Sequence, residues 1–243
     1  KKRYTRIMSK LVFDIETIGE SYEEMDPATL EIMTKWIKKE SYNDEEYQRE
    51  IDALKDGLGF SPLTGQIVAI GVMDVETSKG AVYYQNPDLG VSHLSDERDV
   101  DGVKLKVMSE PEMLEKFWEV AKRCSECISF NGRAFDVPFL MVRSAIHKIR
   151  VPVNLMPNRY ASNSMHLDLL DQLSFYGSVR RKGNLHMWCR AFGIKSPKAD
   201  GISGDDVGAL FKDKQYEKIA EYNIGDLKAT AELYKYWNEF MRF

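Results

Sequence analysis

The chain has 243 residues, of which 43% are hydrophobic and 30% charged, enough to bury the core of an α/β domain and too apolar for a disordered chain. Its formal net charge of −4 argues against binding nucleic acid through bulk electrostatics, but permits an enzyme that grips a short strand locally. No apolar run approaches the roughly 20 residues that span a bilayer, no secretory signal opens the chain, and three cysteines are too few for a disulfide framework, so we expect a cytoplasmic protein.

The first predicted element is a strand over residues 10–17, which carries two carboxylates near its C-terminal end. Successive side chains of a strand point to opposite faces, so Asp14 and Glu16 share one face while Ile15 points to the other. Carboxylates held this close repel each other unless a cation lies between them, and their hard oxygen atoms suit Mg²⁺ or Mn²⁺. The alternative is an acidic pair that faces solvent on an amphipathic strand.

Residues 20–58 predict a charged helical hairpin inserted after the first strand. Asp26 and Pro27 are typical of a helix N-cap and of the first helical position, and apolar residues then recur at helical spacing up to Ile37. A second helix with one apolar face is predicted from about Asn43. We expect the hairpin to shape access to a site rather than to build the core.

Two β-rich segments follow at residues 66–73 and 81–84, and together with the first strand they predict an antiparallel meander. Residues 86–104 are polar and rich in Asp, Gly and Ser, which predicts a loop. Ser109 and Glu112 have the spacing of a capping box, so a helix is predicted from that point.

The second half of the chain alternates strands and helices. Strands are predicted at about residues 127–130 and 165–168, and helices at about residues 136–148, 184–192, 206–211 and 214–241. A meander followed by alternation favours a single α/β domain over residues 1–243 with a mixed sheet. Met8 is a candidate native start, which would make residues 1–7 an addition. Cys124 and Cys127 have no second pair or nearby histidines, so we expect them to pack in the interior.

Two further acidic positions stand out. Asp136 lies where a strand gives way to a helix; an N-cap is one role for it, but the Asn131–Gly132 turn just upstream brings polar groups to the sheet edge where α/β folds bind ligands. In the last helix, Tyr222 and Asp226 are four residues apart and therefore share one face. The alternative for this pair is a solvated helix face.

These residues form three motifs: Asp-x-Glu at residues 14–16, Asn-x-x-x-Phe-Asp at residues 131–136, and Tyr-x-x-x-Asp at residues 222–226. In that order they resemble the exonuclease motifs of the DEDD 3′–5′ exonuclease superfamily, in its tyrosine-bearing DEDDy branch. The sister branch has a histidine five residues before the last Asp, where this chain has Glu221. The chain is similar to stand-alone relatives of the proofreading domain of family-B DNA polymerases from about residue 8 to residue 240, except for the hairpin.

The resemblance implies an RNase H-like fold and a metal-dependent 3′–5′ exonuclease that releases 5′-mononucleotides from single-stranded DNA. It implies two divalent cations, Mg²⁺ or Mn²⁺, held by four carboxylates: Asp14, Glu16, Asp136 and Asp226. Two cations ~3.5–4 Å apart clamp the attacking and leaving oxygens of an in-line displacement at phosphorus. Tyr222 would complete the catalytic set by orienting the attacking water.

The resemblance also implies contacts with the substrate. Thr17, Asn131 and Phe135 match positions that would hold the terminal nucleotide, with the phenyl ring against its base. Five basic residues are candidates to follow the phosphates: Arg133, Arg143, Arg180, Arg181 and Lys182. The last three fit a solvated loop equally well.

The sequence leaves open the role of one acidic residue and two alternative functions. Asp168 matches an acidic position of relatives, with structural and functional roles equally open, whereas His166 and His186 are expected to pack or to lie at the surface. The same fold could serve as an exoribonuclease, because a few contacts decide recognition of the 2′-hydroxyl. It could also serve as a catalytically silent nucleic-acid-binding module, although retention of all four carboxylates favours the enzyme.

Overall fold

The computed structural model describes residues 9–89, 98–160, 164–196, 201 and 203–243, so the prediction about residues 1–7 lies outside it. The strands in this part of the chain are β1 (Lys10–Gly19), β2 (Gly65–Asp74), β3 (Gly80–Tyr84), β4 (Arg98–Val100), β5 (Val103–Val107), β6 (Glu126–Ser129) and β7 (His166–Asp168). The helices are α1 (Pro27–Glu40), α2 (Asp44–Gly57), α3 (Glu110–Ala121), α4 (Asp136–Ile146), α5 (Leu169–Leu173), α6 (Leu185–Phe192), α7 (Val207–Lys212) and α8 (Tyr216–Phe240). Among the described residues, no helix combines the length and apolar character that crossing a membrane requires.

The strands form one mixed sheet in the order β4-β5-β3-β2-β1-β6-β7. β1, β2 and β3 are antiparallel neighbours, as the predicted meander requires. β6 pairs with β1 in parallel, and β7 pairs with β6 in parallel. This mixed sheet flanked by helices confirms the predicted α/β class and is consistent with an RNase H-like exonuclease fold.

β1 lies inside the sheet, between β2 and β6, and separates two apolar cores. Phe13 contributes to the core on the side of α3 and α4, whereas Val12 contributes to the core on the side of α8. Because side chains alternate along a strand, Asp14 and Glu16 follow Val12 onto the α8 side. The 25-residue α8 packs against β1, β2 and β3, so it covers the face that carries both carboxylates.

α1 and α2 form a helical hairpin between β1 and β2, at the place where the sequence predicts one. The Asp26 carboxylate caps α1 by accepting hydrogen bonds from the N–H groups of Ala28 and Thr29. Thr34 is the buried residue of α1, and Ile51 is the buried residue of α2. The hairpin therefore adds little to either core.

The predicted loop over residues 86–104 is wrong at its C-terminal end, because β4 and β5 both begin inside it. β5 extends the sheet in parallel with β3, and β4 pairs with β5 in the antiparallel direction. Val103 and Leu105 are buried while Lys104 is exposed, a period-two pattern that the polar composition upstream concealed. Residues 90–97 of this segment lie outside the described residues.

Both cysteines of the C-x-x-C segment lie in the core on the α3 side of the sheet. Cys124 and Cys127 are buried free thiols. Burial raises the pKa of Cys127 to about 12, so the thiol stays protonated at neutral pH and is a poor metal ligand. These observations fit the predicted packing role.

Candidate active site

Three carboxylates from β1 and α8 meet on the α8 side of the sheet. One oxygen from each of Asp14, Glu16 and Asp226 lies within 4.8 Å of the other two. The strand supplies the first two because of its alternation, and the long helix above supplies the third. The first and third sequence motifs therefore converge on one point, with the hard oxygen donors that divalent cations such as Mg²⁺ prefer.

The environment of these carboxylates disfavours their charged form. Burial raises the pKa of Asp14 well above its usual range, and the charges of Asp136, Asp226 and Glu16 raise it further. Burial and the charge of Asp226 also raise the pKa of Glu16, although a hydrogen bond from Asn223 opposes the shift. The charged groups with the largest effects on the Asp14 carboxyl are thus all carboxylates. Bound positive charge would relieve this repulsion.

Asp136, in the first turn of α4, is not one of the three carboxylates of this cluster, but its charge acts on Asp14. The N-cap alternative does not hold: Phe135 occupies the N-cap position, and the Asp136 carboxylate accepts a hydrogen bond of 3.1 Å from the backbone N–H of Ile15. Burial raises the pKa of Asp136 to about 7, against the hydrogen bonds from backbone N–H groups. The side chain therefore points back to β1 rather than capping its own helix, and the second motif reaches the strand that carries the first.

Tyr222 lies one turn before Asp226 on α8, close enough for the Asp226 carboxylate to act on its phenol. Burial, followed by the charges of Asp226, Glu16 and Asp14, raises the pKa of the Tyr222 phenol far above its usual value. The phenol is therefore a neutral hydroxyl at every physiological pH, able to donate one hydrogen bond and accept others. It cannot serve as a base.

Asn223 is a residue of this site that the sequence analysis missed. Its side-chain Nδ2 donates to Asp14 at 2.8 Å and to Glu16 at 3.3 Å, so one amide ties the two carboxylates of β1 together. Its Oδ1 is buried without a hydrogen-bond partner among the described residues. Gly71 on β2 makes room for this oxygen, because a Cβ at that position would lie 1.9 Å from it. An Asn between a Tyr and an apolar residue in a helix gives no local signal of this role.

A cavity of about 190 Å³ opens beside the carboxylates. It is lined by Asp14, Phe130, Asn184, Leu185, His186, Tyr222 and Asp226. Asn184 is the N-cap of α6, at the start of the helix predicted over about residues 184–192, and it brings the start of α6 to the cavity wall. His186 was expected to pack or to lie at the surface; it is partly exposed on this wall, and its Nδ1 lies 2.7 Å from Ser196 Oγ.

The three positions expected to contact a terminal nucleotide lie near the C-terminal end of β1, just after β6 and at the start of α4. A β-bulge precedes Thr17, whose hydroxyl donates to the carbonyl of Gly59 at the hairpin exit, at 2.7 Å. Phe135 is partly exposed and contacts the ring of Phe60 edge-on, with 6.4 Å between centroids. Asn131 is exposed in a left-handed conformation with φ of 64°. The hairpin exit therefore lies beside Thr17 and Phe135, and both cavity and exit adjoin the same end of β1.

Comparison with known proteins identifies the family to which this site belongs. Residues 65–241, more than half of the chain, match a family described as predicted 3′–5′ exonucleases related to the exonuclease domain of PolB. The chain belongs to this family. An uncharacterized protein of Methanocaldococcus jannaschii is 29% identical over 187 residues, which cover 73% of this chain and 88% of that protein. A DNA polymerase of Pyrococcus glycovorans is 25% identical over 206 residues, which cover 72% of this chain but 26% of the polymerase.

The match to the PolB-related exonuclease family covers Asp136, Tyr222 and Asp226 but begins after β1. Asp14 and Glu16 join the site through the sheet, because β1 lies between β2 and β6, which both belong to the matched region. Exonuclease domains of this kind use divalent metals. The buried acidic cluster is where this chain gathers donors of the required type.

Asp168 has a structural role in this exonuclease-family domain. Its carboxylate accepts hydrogen bonds from the backbone N–H groups of Asn131, Arg133 and Leu170, at 2.9 Å each. It therefore holds the turn that precedes Asp136 and the start of α5. The Arg133 side chain donates to the carbonyl of Pro157 at 2.9 Å, which ties this turn to the segment after α4.

Two other candidates for polar roles belong to the interior. Arg143 was expected to follow phosphates; instead its guanidinium makes two hydrogen bonds, of 2.7 and 2.9 Å, to the buried carboxylate of Glu110. His166 is buried, with its ring nitrogens 2.8 Å from Ser129 Oγ and 3.0 Å from the carbonyl of Leu155. The sequence offered Arg143 as a free basic residue because its partner, Glu110, lies 33 residues away.

Proposed function

We propose that this chain is a metal-dependent 3′–5′ exonuclease of the DEDDy branch, which hydrolyses the terminal phosphodiester of single-stranded DNA to a 5′-mononucleotide. The proposal is carried by one observation, the buried cluster of Asp14, Glu16 and Asp226 with oxygens within 4.8 Å. Buried carboxylates with raised pKa values and mutual repulsion are costly for a fold. Such clusters are typical of functional sites.

The donor set fits hard divalent cations. Asp14, Glu16, Asp136 and Asp226 would hold two of them, Mg²⁺ or Mn²⁺, because carboxylate oxygens are the preferred ligands of both. When bound, these cations supply the Lewis acidity that lowers the pKa of an attacking water and stabilises the leaving oxygen. The Asn223 amide holds Asp14 and Glu16 in the same orientation on β1, which pre-orients two of the ligands.

Tyr222 orients the attacking water in this proposal. Its neutral hydroxyl is close enough to Asp226 to feel its charge, and Tyr222 lines the same cavity as Asp14 and Asp226. The water attacks phosphorus in line, and the bond from phosphorus to the O3′ of the penultimate nucleotide breaks. The phosphate stays on the 5′ oxygen of the released nucleotide. The attacking water loses a proton to solvent, and the O3′ of the shortened DNA gains one.

The 3′ end of the DNA is held beside the hairpin exit, at the end of β1 that the cavity also adjoins. Phe135 packs against the terminal base, and the neighbouring ring of Phe60 limits where that base can lie. Thr17 and Asn131 supply hydrogen bonds from the ends of β1 and β6. A pocket for a single splayed base favours single strands over duplex, because a paired terminal base would first have to be unstacked.

The test uses 5′-labelled single-stranded DNA and RNA with Mg²⁺, Mn²⁺ or EDTA. We expect the DNA to shorten from its 3′ end in single-nucleotide steps with either cation and to stay intact in EDTA. Asp226→Ala should lose this activity, whereas Asp205→Ala, at an exposed position, should keep it. Activity in EDTA would overturn the proposed mechanism, and equal cleavage of a circular single strand would show an endonuclease. Preference for RNA would show an exoribonuclease, and binding without cleavage would show a silent module.

A further inference from the structure

The loop between α5 and α6 presents two aromatic side chains in a conformation that favours glycine. Phe175 and Tyr176 are consecutive residues with φ of 49° and 55°. A non-glycine residue in this region is strained, and the strain persists where the surrounding structure determines it. Burial does little to offset this strain, since the residues are 57% and 39% exposed. Strain kept with so little burial indicates a role outside the fold.

Hydrogen bonds fix this turn from several sides. The N–H of Tyr176 donates to the carbonyl of Asp171 at 2.7 Å, and the N–H of Val179 donates to the carbonyl of Ser174 at 3.1 Å. The Tyr176 ring lies against the exposed ring of Tyr160, 5.2 Å between centroids. The aromatic surface is thus held rigidly and faces solvent, as a stacking platform for bases requires.

A basic run follows the two rings. Arg180, Arg181 and Lys182 are exposed, and no carboxylate of the described residues lies within ion-pair distance of them. Other arginines of the domain are neutralised, such as Arg159 by Asp171. The chain has a net charge of −4, so this run is a local positive patch on an acidic protein. Positive charge beside exposed rings matches the chemistry of a single-stranded nucleic acid.

The basic run leads directly to the candidate active site. Asn184, two residues after Lys182, lines the cavity next to Asp14 and Tyr222. Consecutive Cα atoms are ~3.8 Å apart, so the end of the run lies within ~8 Å of the cavity wall. The indole N–H of Trp188 donates to the carbonyl of Lys182 at 2.6 Å, which fixes this approach.

We propose that residues 175–182 form a second contact for single-stranded DNA, which holds the nucleotides upstream of the 3′ end by stacking and phosphate pairing. The inference rests on the proposed exonuclease function and adds the path of the strand. The loop contacts no reacting atom, so it acts on binding of longer strands rather than on the chemical step.

Binding of a fluorescent oligothymidylate of about 15 nucleotides, measured by anisotropy in EDTA, tests the proposal. The stacking variant is Phe175→Gly with Tyr176→Gly, which removes both rings and also relieves the left-handed strain. The charge variant is Arg180→Ser, Arg181→Ser and Lys182→Ser, and its matched control on the exposed side of α1 is Lys35→Ser, Lys38→Ser and Lys39→Ser.

We expect the stacking variant to bind roughly 5- to 100-fold more weakly without any loss of melting temperature. The charge variant should lower the slope of log affinity against log salt by about 2, because each phosphate contact to a single strand contributes about 0.7. The control should keep the wild-type slope. Hydrolysis of a dinucleotide with Mg²⁺ should be unchanged in both loop variants, while kcat/KM on the long strand falls.

Wild-type affinity in both loop variants would overturn the proposal, as would an equal loss in the α1 control or an equal loss on the dinucleotide. Loop-dependent binding by a wild-type protein that cleaves nothing would leave this contact established and remove the exonuclease function instead. Cleavage with no loop dependence would do the reverse.

Discussion

A buried acid on one face of the sheet and a group of three acids on the other have opposite surroundings. On the α3 side, Glu110 is 4% exposed and fully partnered: it accepts from Arg143, from His147 at 2.7 Å and from the backbone N–H of Ile67 at 2.8 Å. Burial alone would raise the pKa of Glu110, but these hydrogen bonds together hold it below its usual range. This carboxylate is charged and compensated.

On the α8 side, oxygens of Asp14, Glu16 and Asp226 are gathered within 4.8 Å, and the charges that act most on Asp14 and Glu16 are those of other carboxylates. Burial and mutual repulsion raise the pKa values of Asp14 and Glu16. The difference shows that burial alone does not decide the state of an acid in this domain; the partner does. Glu110 has cationic partners, whereas the repulsion on Asp14 and Glu16 is what the proposed cations would relieve.

Asp14→Asn should abolish nearly all nuclease activity. The amide lacks the negative charge of the carboxylate, so a cation would bind less tightly. The loss of several kcal/mol of transition-state stabilisation corresponds to a fall in turnover on the order of 1,000-fold or more. The metal-free variant should be at least as stable as the wild type, because one repelling charge is gone. Single-turnover rates and thermal melts in EDTA measure both effects, and a strongly destabilised variant would show that the cluster supports the fold.

Glu110→Gln should give the reverse result. Removing one charge from a buried pair leaves Arg143 uncompensated and costs about 3–5 kcal/mol in the free energy of unfolding. Denaturant titration measures that loss, and activity per folded molecule should stay at the wild-type level. Normal stability with reduced activity would mean that Glu110 supports catalysis rather than the fold.

Tyr222→Phe separates the role of the phenol hydroxyl from that of the carboxylates. The ring stays and the hydroxyl goes, so orientation of the water is lost while the carboxylates remain. We expect a loss of roughly 10–1,000-fold in turnover, at or below the range for acid–base residues. Metal affinity, measured by calorimetric titration, should barely change. A wild-type rate would make Tyr222 a packing residue, and a lost metal site would make it a support for the ligands.

Asn223→Ala tests whether the amide orients the two carboxylates of β1. Loss of an outer-sphere support typically weakens metal binding by about 10–100-fold, and we expect that range. Gly71→Ala should reproduce the effect, because its Cβ would displace the Asn223 oxygen, and should add less in the Asn223→Ala background. Gly208→Ala, with no heavy atom within 4 Å of the added Cβ, is the control. Unchanged metal affinity in all variants would remove the positioning role.

Local sequence patterns predicted much of the fold. Alternation placed Asp14 and Glu16 on one face of β1, and capping residues located the starts of α1 at Asp26 and of α3 at Ser109. β5 was missed because a three-residue alternation is too short to outweigh the polar segment before it, and its partner β3 is supplied by the tertiary fold.

The site could be predicted only as far as its motifs reach. Spacing on α8 identified Tyr222 and Asp226, but Asn223 acts through contacts with residues more than 200 positions away, and only packing against Gly71 reveals it. The reach of Asp136 to β1, rather than to its own helix, is likewise set by the crossing of α4 and the sheet. Partners of buried polar groups are long-range facts that local patterns do not contain.

The smallest effect concerns the pH dependence of stability without metal. The folded-state pKa of Asp136 is raised to about 7, against an ordinary value of 3.8. Between these values the folded protein holds a proton that the unfolded chain has released. Stability from this group is therefore complete below about pH 4 and is lost as pH rises to about 7. The raised pKa values of Asp14 and Glu16 act in the same direction, so in EDTA the protein should melt at a higher temperature at pH 5 than at pH 8.

Between pH 5 and pH 8, the effect of the α8-side acids on stability can be told apart from that of Glu110. Glu110 has a lowered pKa, so its contribution is complete above its ordinary value of 4.5 and is lost only as pH falls below it. Saturating Mg²⁺ should reduce or reverse the difference, because the cation binds the ionised carboxylates. Asp136→Asn should flatten the profile in EDTA, while Glu110→Gln should lower melting temperatures equally at both pH values. A metal-free wild type that is more stable at pH 8 would contradict the raised pKa values of Asp14, Glu16 and Asp136.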